Sequence, residues 1–227
     1  MLVALISIAV LAVLPPAVGR ADDAAECPQG LLALTFDDGP QQEVTPALLD
    51  VLVDRHAPAT FFVLGAHVAA LPKITRRASE LGFAIGNHTY RHADLTTLPR
   101  AAIVRTLHRT HRALVAAGAV SSHLMRPPFG RIDRRVRGVI RSLGLVPVLW
   151  TIDPRDWAGG SGTTIAGRVI SALQPGSDNV VLLHDGVRNS PNTLAAVPRI
   201  IRRARDAGYC LARLGPHGHP VAPPEED

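Results

Sequence analysis

Lysine is almost absent: Lys73 is the single one, so the net charge of +5 and the pI near 10.2 rest on arginine. Such a basic surface favours polyanions, among them nucleic acid and the acidic polymers of a cell wall. Aromatic residues make up only 4% of the chain, which leaves no stacking platform for single-stranded nucleic acid, and no RNA- or DNA-binding module signature is visible. Nucleic acid is therefore excluded as a partner. Charged residues are also few, 19% against 47% hydrophobic, which excludes a disordered chain. After Leu2–Val18 no further apolar run is long enough to span a bilayer, and neither internal repeats nor an interdomain linker can be found. A chain of 227 residues without such breaks reads as one domain with a sizeable core.

Only two cysteines occur, Cys27 and Cys210, at opposite ends of the presumed mature chain. In an oxidising compartment they are placed to pair and close a long loop, for roughly 4 to 5 kcal/mol in the chain-entropy model. Two buried free thiols are the alternative. The run Leu2–Val18, followed by small residues at Ala17, Gly19 and Ala21, reads as a secretory signal over residues 1–21, or as an anchor where it stays uncleaved. The protein is thus expected to be secreted, extracellular or associated with the cell wall, with no stable membrane partner unless that segment is retained.

Short apolar runs of strand type alternate with helical patterns. Strands are expected at 31–36, 60–64, 83–86, 124–126, 146–152, 180–183 and 209–214, with helices between them from about 45 to 55, 72 to 81, 97 to 117, 134 to 143, 164 to 173 and 192 to 207. Seven strands separated by helices predict an α/β fold of parallel β/α construction. The Pro- and Gly-rich residues 215–227 read as an extended arm or disordered tail. Arg131, Arg134, Arg135, Arg137 and Arg141 are clustered and read as a solvated helix face.

The chemistry-bearing residues fall just after the expected strands: Asp37 and Asp38, His88 and His92, Arg126 to Gly130, Asp153 to Trp157, and His184. In a barrel of parallel strands those ends share one face, where substrate sites are built. Two adjacent carboxylates at a buried strand end require a nearby cation. Neighbouring side chains there point to different sides, so one aspartate can bind a metal while the other stays free as a base. The four-residue spacing of His88 and His92 lets both imidazoles reach one ion, and with an aspartate they form a two-histidine, one-carboxylate set with open positions.

Thr35–Pro40, His88–His92, Arg126–Gly130, Asp153–Trp157 and Leu182–His184, in that order, resemble the five motifs of the polysaccharide deacetylase family, carbohydrate esterase family 4, whose domain would cover about residues 27–214. The flanking cysteines and Pro-rich end resemble its small secreted actinobacterial type. The resemblance implies a distorted (β/α) barrel of about seven parallel strands. It implies Asp37 as catalytic base, Arg126 pairing with it, and Asp38, His88 and His92 as metal ligands. His184 would be the catalytic acid, held by Asp153, and Trp157 a wall of the substrate groove. The backbone N–H of Phe129, where the family usually has tyrosine, would serve the oxyanion. Asp156 receives no role. One divalent metal is implied, zinc first, with cobalt, nickel or manganese also suited to the donor set.

The activity implied is removal of acetyl groups from N-acetylglucosamine units of a β-1,4-linked chitin-type polymer or peptidoglycan, by a monomer. Acetylxylan O-esterase activity is the alternative within the family. A carbohydrate-binding pseudoenzyme is the alternative of another class.

Overall fold

Strand β1 (Gly30–Asp37) runs through the centre of the protein, and Leu32 to Phe36 have no exposed surface. In this computed structural model, which describes residues 27–222, the elements after β1 are helix α1 (Val44–Asp54), β2 (Thr60–Val63), α2 (Gly65–Ala70), α3 (Pro72–Glu80) and β3 (Ala84–Asn87). Then come α4 (Arg100–Ala117), β4 (Leu124–Met125), α5 (Arg134–Ser142), β5 (Val146–Pro147), α6 (Gly162–Ala172), β6 (Asn179–His184), α7 (Ser190–Asp206), β7 (Tyr209–Leu214) and β8 (Pro220–Val221).

The sheet is a curled, mostly parallel one in the order β5-β4-β3-β2-β1-β7-β8, and β6 pairs with β1. Leu32 and Ala33 pair with both β6 and β7, whereas Thr35 to Asp37 pair with both β6 and β2. One edge of β1 is therefore shared by β7 and then β2, and the other carries β6. A parallel bridge between Ile152 and Val181 brings the chain after β5 against β6 and closes the ring. The result is a distorted (β/α) barrel, as expected.

Alternation along β1 separates two environments. Leu32, Leu34 and Phe36 enter the main core with α1, α6 and α7, through Leu48, Leu52, Ile165, Val169, Val197 and Ile200. Ala33 faces a smaller interior cluster with Phe62, Leu124, Val148, Val180 and Leu214. Thr35 and Asp37 share the parity of Ala33 and so face the barrel interior.

Several expectations are corrected. The expected strand 146–152 is regular only at Val146–Pro147, with Ile152 making an isolated bridge. Helix α2 had no sequence signal strong enough to separate it from the preceding strand. Pro99 does not sit inside α4 but precedes it as its N-cap, with extended backbone. The tail is not extended throughout: it turns at Gly215–Gly218, and β8 pairs antiparallel with β7 through Arg213 with Val221 and Leu214 with Pro220. Gly218, at φ 81°, makes this possible, because a Cβ there would lie 2.8 Å from Val148. The segment read as an export signal and the last residues of the tail lie outside the described residues. Cys27 and Cys210 form a disulfide that ties the start of the domain to β7 across 183 positions. Among the described residues no helix is long and apolar enough to cross a membrane.

Candidate active site

The carboxyl ends of β1, β3, β4 and β6, with the loop after β5, bring the candidate residues together. Asp37 ends β1 facing inward and is 3% exposed. Its Oδ1 accepts a 2.7 Å hydrogen bond from Arg126 Nη1, which also donates to the Thr35 hydroxyl at 2.7 Å. Arg126 has no exposed surface. Its Nη2 donates to the Leu149 carbonyl at 3.2 Å, and its guanidinium lies 4.2 Å from the centre of the Phe62 ring and 5.7 Å from that of Trp150. A buried arginine needs such partners to offset its desolvation. Burial raises the Asp37 carboxyl above its ordinary value against the pull of Arg126 and His184.

The next residue lies just past the end of β1. Asp38 adopts the left-handed region at φ 72°, and its Oδ1 lies 3.5 Å from Nε2 of both His88 and His92. The donor atoms of Asp38, His88 and His92 all fall within 4.8 Å of one another. Ligands about 2.0 to 2.2 Å from a tetrahedral zinc would be about 3.4 Å apart, so the two Asp38–imidazole distances already suit one ion. Asp38 Oδ1 is buried without a hydrogen-bond partner, as a ligand atom awaiting a cation would be.

His88 is oriented by its far nitrogen: Nδ1–H donates to the Arg126 carbonyl at 2.7 Å. A carbonyl can only accept, so Nδ1 carries the proton and Nε2 is left to face Asp38. Burial, against the charge of Asp38, pushes the His88 imidazole down to about 3. At neutral pH it is therefore uncharged, the form that binds metals.

At the end of the neighbouring strand β6, in register with Asp37, His184 Nδ1 donates to Asp156 Oδ1 at 2.8 Å, and its backbone N–H donates to Asp156 Oδ2, also at 2.8 Å. Asp156 is wholly buried, and its Oδ2 also accepts from the Thr193 hydroxyl of α7 at 2.7 Å. Burial opposes a charged His184, but the bond to Asp156 and its charge, with those of Asp37 and Asp38, lift the imidazole to about 9. The expectation for Asp153 is thereby corrected. Asp153 is exposed and accepts a hydrogen bond from the Arg155 backbone N–H at 2.8 Å. Arg155, in the left-handed region at φ 55°, turns the chain so that Asp156 points inward.

Phe129 and Trp157 are 59% and 46% exposed, which for large aromatic side chains beside a cleft marks a contact surface. Phe129 stands edge-on to His92 with ring centres 4.5 Å apart. Six non-glycine residues among those described have positive φ, and five, Asp38, Thr89, His92, Phe129 and Arg155, lie in these loops. Each such conformation costs on the order of 1–3 kcal/mol, and its concentration here is the pattern of a functional site.

Three residues near the site carried no functional signal in the sequence. Thr193 supports Asp156. His67 of α2 donates from Nδ1 to the Asp38 carbonyl at 2.8 Å. Asp185 turns beneath Gly39, where a Cβ would lie 2.3 Å from its carboxylate. Its Oδ2 accepts from the Thr45 hydroxyl at 2.6 Å, and burial pushes its carboxyl up to about 7. A histidine on a short helix or an aspartate beside a candidate acid has no local pattern that reveals these contacts.

An inward carboxylate on an arginine, a three-donor cradle and a carboxylate-held imidazole can together carry out metal-assisted hydrolysis, which defines the class of the protein. Residues 24–148 match the family described as polysaccharide deacetylase. The chain belongs to that family. It is 43% identical over 194 residues to a chitooligosaccharide deacetylase of Rhizobium leguminosarum bv. trifolii, covering 80% of this chain and 88% of the relative. It is 34% identical over 186 residues to a peptidoglycan-N-acetylmuramic acid deacetylase of Bacillus subtilis, covering 82% of this chain and 38% of that longer protein. Among solved structures, the family 4 carbohydrate esterase of Streptomyces lividans in complex with acetate superposes with a TM-score of 0.78 at 35% identity, over 86% of this chain and 98% of that one.

Proposed function

We propose that this protein hydrolyses the acetamido group of N-acetylglucosamine units in a β-1,4-linked chitin-type oligomer or in peptidoglycan. The observation that carries the reading is that a base candidate, Asp37, and an acid candidate, His184, end neighbouring strands in register with each other, beside the Asp38–His88–His92 cradle. The chitooligosaccharide and peptidoglycan deacetylases among its relatives support the choice of an N-acetyl substrate. The acetate held by the Streptomyces lividans esterase is the product such a reaction would release.

Asp38, His88 and His92 would hold one divalent cation, zinc first, with cobalt, nickel and manganese compatible with the donors. When bound, the ion supplies positive charge that polarises the acetyl carbonyl and makes a water more acidic. Asp37, fixed by Arg126, accepts the proton of the attacking water. The Phe129 backbone N–H donates to the carbonyl oxygen as charge develops on it. His184 enters as imidazolium, because Asp156 stabilises that form, and gives the Nε2 proton to the leaving amine as the C–N bond breaks. Acetate and a free amino sugar result. Trp157 and Phe129 offer apolar faces to the sugar rings. A secreted monomer is the setting inferred, and the Cys27–Cys210 disulfide suits an oxidising compartment.

The test is acetate release by the zinc-loaded protein from chitooligosaccharides, peptidoglycan and acetylated xylan in parallel. Release from either N-acetylated substrate ahead of xylan is expected. Xylan ahead of both would make the protein an O-esterase, and binding without release from any of the three would make it a pseudoenzyme.

A further inference from the structure

We infer that residues 64–67 form a bracket that sets the distance between the two halves of the metal cradle, and that His67 is a positioning residue for Asp38. The inference rests on the metal-site reading given above. Its basis is where the hydrogen bonds of one turn of chain go. The first N–H groups of a helix have no partner within the helix, and those of Gly65 and Ala66 in α2, with that of Leu64 just before it, find theirs in the two ligand-bearing loops. Leu64 N–H donates to the Gly39 carbonyl at 3.0 Å, next to Asp38. Gly65 and Ala66 N–H donate to the Thr89 and Tyr90 carbonyls, each at 3.0 Å, between His88 and His92. His67 closes the bracket from its side chain, through the 2.8 Å bond to the Asp38 carbonyl.

Asp38 needs this hold. Its φ of 72° is disfavoured for a residue with a Cβ, so its carboxylate faces the imidazoles only while the backbone on both sides is pinned. On the N-terminal side, Asp38 N–H donates to the Phe62 carbonyl at 3.2 Å. On the C-terminal side His67 supplies the hydrogen bond, and Gly186 packs so closely that a Cβ would lie 2.1 Å from the same carbonyl oxygen. Gly65 lets the bracket sit where it does, since a Cβ there would fall 2.6 Å from Tyr90 and 2.8 Å from Thr110 of α4. Because a carbonyl only accepts, His67 acts through Nδ1–H, and no charge on the ring is required.

Outer partners of metal ligands are worth about 10- to 100-fold in affinity. The experiment is calorimetric titration of zinc into the chelator-stripped full chain, for wild type and for the His67→Ala, His67→Asn and His67→Gln variants. The amide nitrogen of asparagine falls near the place of Nδ1, whereas that of glutamine lies one methylene farther. Binding by His67→Ala is expected to weaken about 10- to 100-fold, with His67→Asn close to wild type and His67→Gln as weak as alanine. Wild-type affinity in His67→Ala, or an asparagine variant as weak as alanine, overturns the assignment. If the alanine variant does not fold, equal affinities of the asparagine and glutamine variants overturn it in the same way. A wild type that binds no zinc overturns the metal-site reading and this inference with it, whereas zinc binding that an added Asp38→Ala variant loses and His67→Ala keeps at wild-type affinity overturns this inference alone.

Discussion

Replacing Asp156 by asparagine tests how the candidate acid is held. Asp156 accepts four hydrogen bonds and donates none: Oδ1 takes those of His184 Nδ1 and the Trp157 N–H, and Oδ2 takes those of the His184 N–H and the Thr193 hydroxyl. The rise of His184 from 6.5 to about 9 corresponds to about 3 kcal/mol in favour of the imidazolium, at ~1.4 kcal/mol per pH unit. In the asparagine variant the Asp156 charge is gone, while the burial that opposes protonation and the charges of Asp37 and Asp38 that favour it remain and act against each other, so His184 should return to about its ordinary 6.5. At pH 8 the protonated fraction would fall from about nine-tenths to about a thirtieth, and a rate that needs the acid would fall about 30-fold. The assay is the pH profile of kcat/KM for acetate release. Its alkaline limb, near pH 9 in the wild type, should move to about pH 6.5. The same rise is linked to folding: a group with a raised pKa contributes stability that is full below about pH 6.5 and is lost as pH climbs through about 9. Urea midpoints at the two extremes should therefore differ more in the wild type than in the variant. An alkaline limb that stays near pH 9 in Asp156→Asn would refute the reasoning.

Asp37→Asn should retain one equivalent of zinc by elemental analysis while acetate release falls about 10²- to 10⁴-fold, the range for a lost general base. Arg126→Met removes the cation beside a carboxylate that is 3% exposed, and denaturant melts should show a loss of about 3–5 kcal/mol, the cost of leaving a buried charge unpaired. Cys27→Ser opens a loop of 183 positions, worth about 5 kcal/mol in the chain-entropy model, and should lower the urea midpoint without changing zinc affinity.

The parallel β/α construction and the placing of polar residues at strand ends could be read from the chain because strand, turn and polar residue follow one another locally, whereas the barrel and the roles of the site residues were what the family resemblance implied. Asp37 and Asp38 stand together after an apolar run, and strand parity would send them to opposite sides; instead Asp38 lies past the end of β1, and its left-handed backbone leaves both carboxylates facing the His88 imidazole, at 3.8 and 3.5 Å. Arg126 follows β4 and meets Asp37 only across the barrel, so their pairing rested on family resemblance until the 2.7 Å contact supplied the geometry. The choice between Asp153 and Asp156 could not be made locally. The two acids are three apart in a loop, and the left-handed turn at Arg155 decides which one points inward. His67 and Thr193 were invisible for a related reason: each acts on a residue distant in sequence, Asp38 or Asp156, that only the closed barrel brings near. The tail differed because a composition rich in proline and glycine suits an arm and a tight hairpin equally, and the fit of Gly218 against Val148 selects the hairpin.

Acetate released from an N-acetylated chitooligosaccharide by the chelator-stripped protein, before and after one equivalent of zinc, measures the central claim most directly. Negligible release before the metal and full release after it are expected, with neither step altering the circular dichroism spectrum. Equal release in both states, or none once zinc is bound, would contradict a metal-dependent deacetylase built on Asp38, His88 and His92.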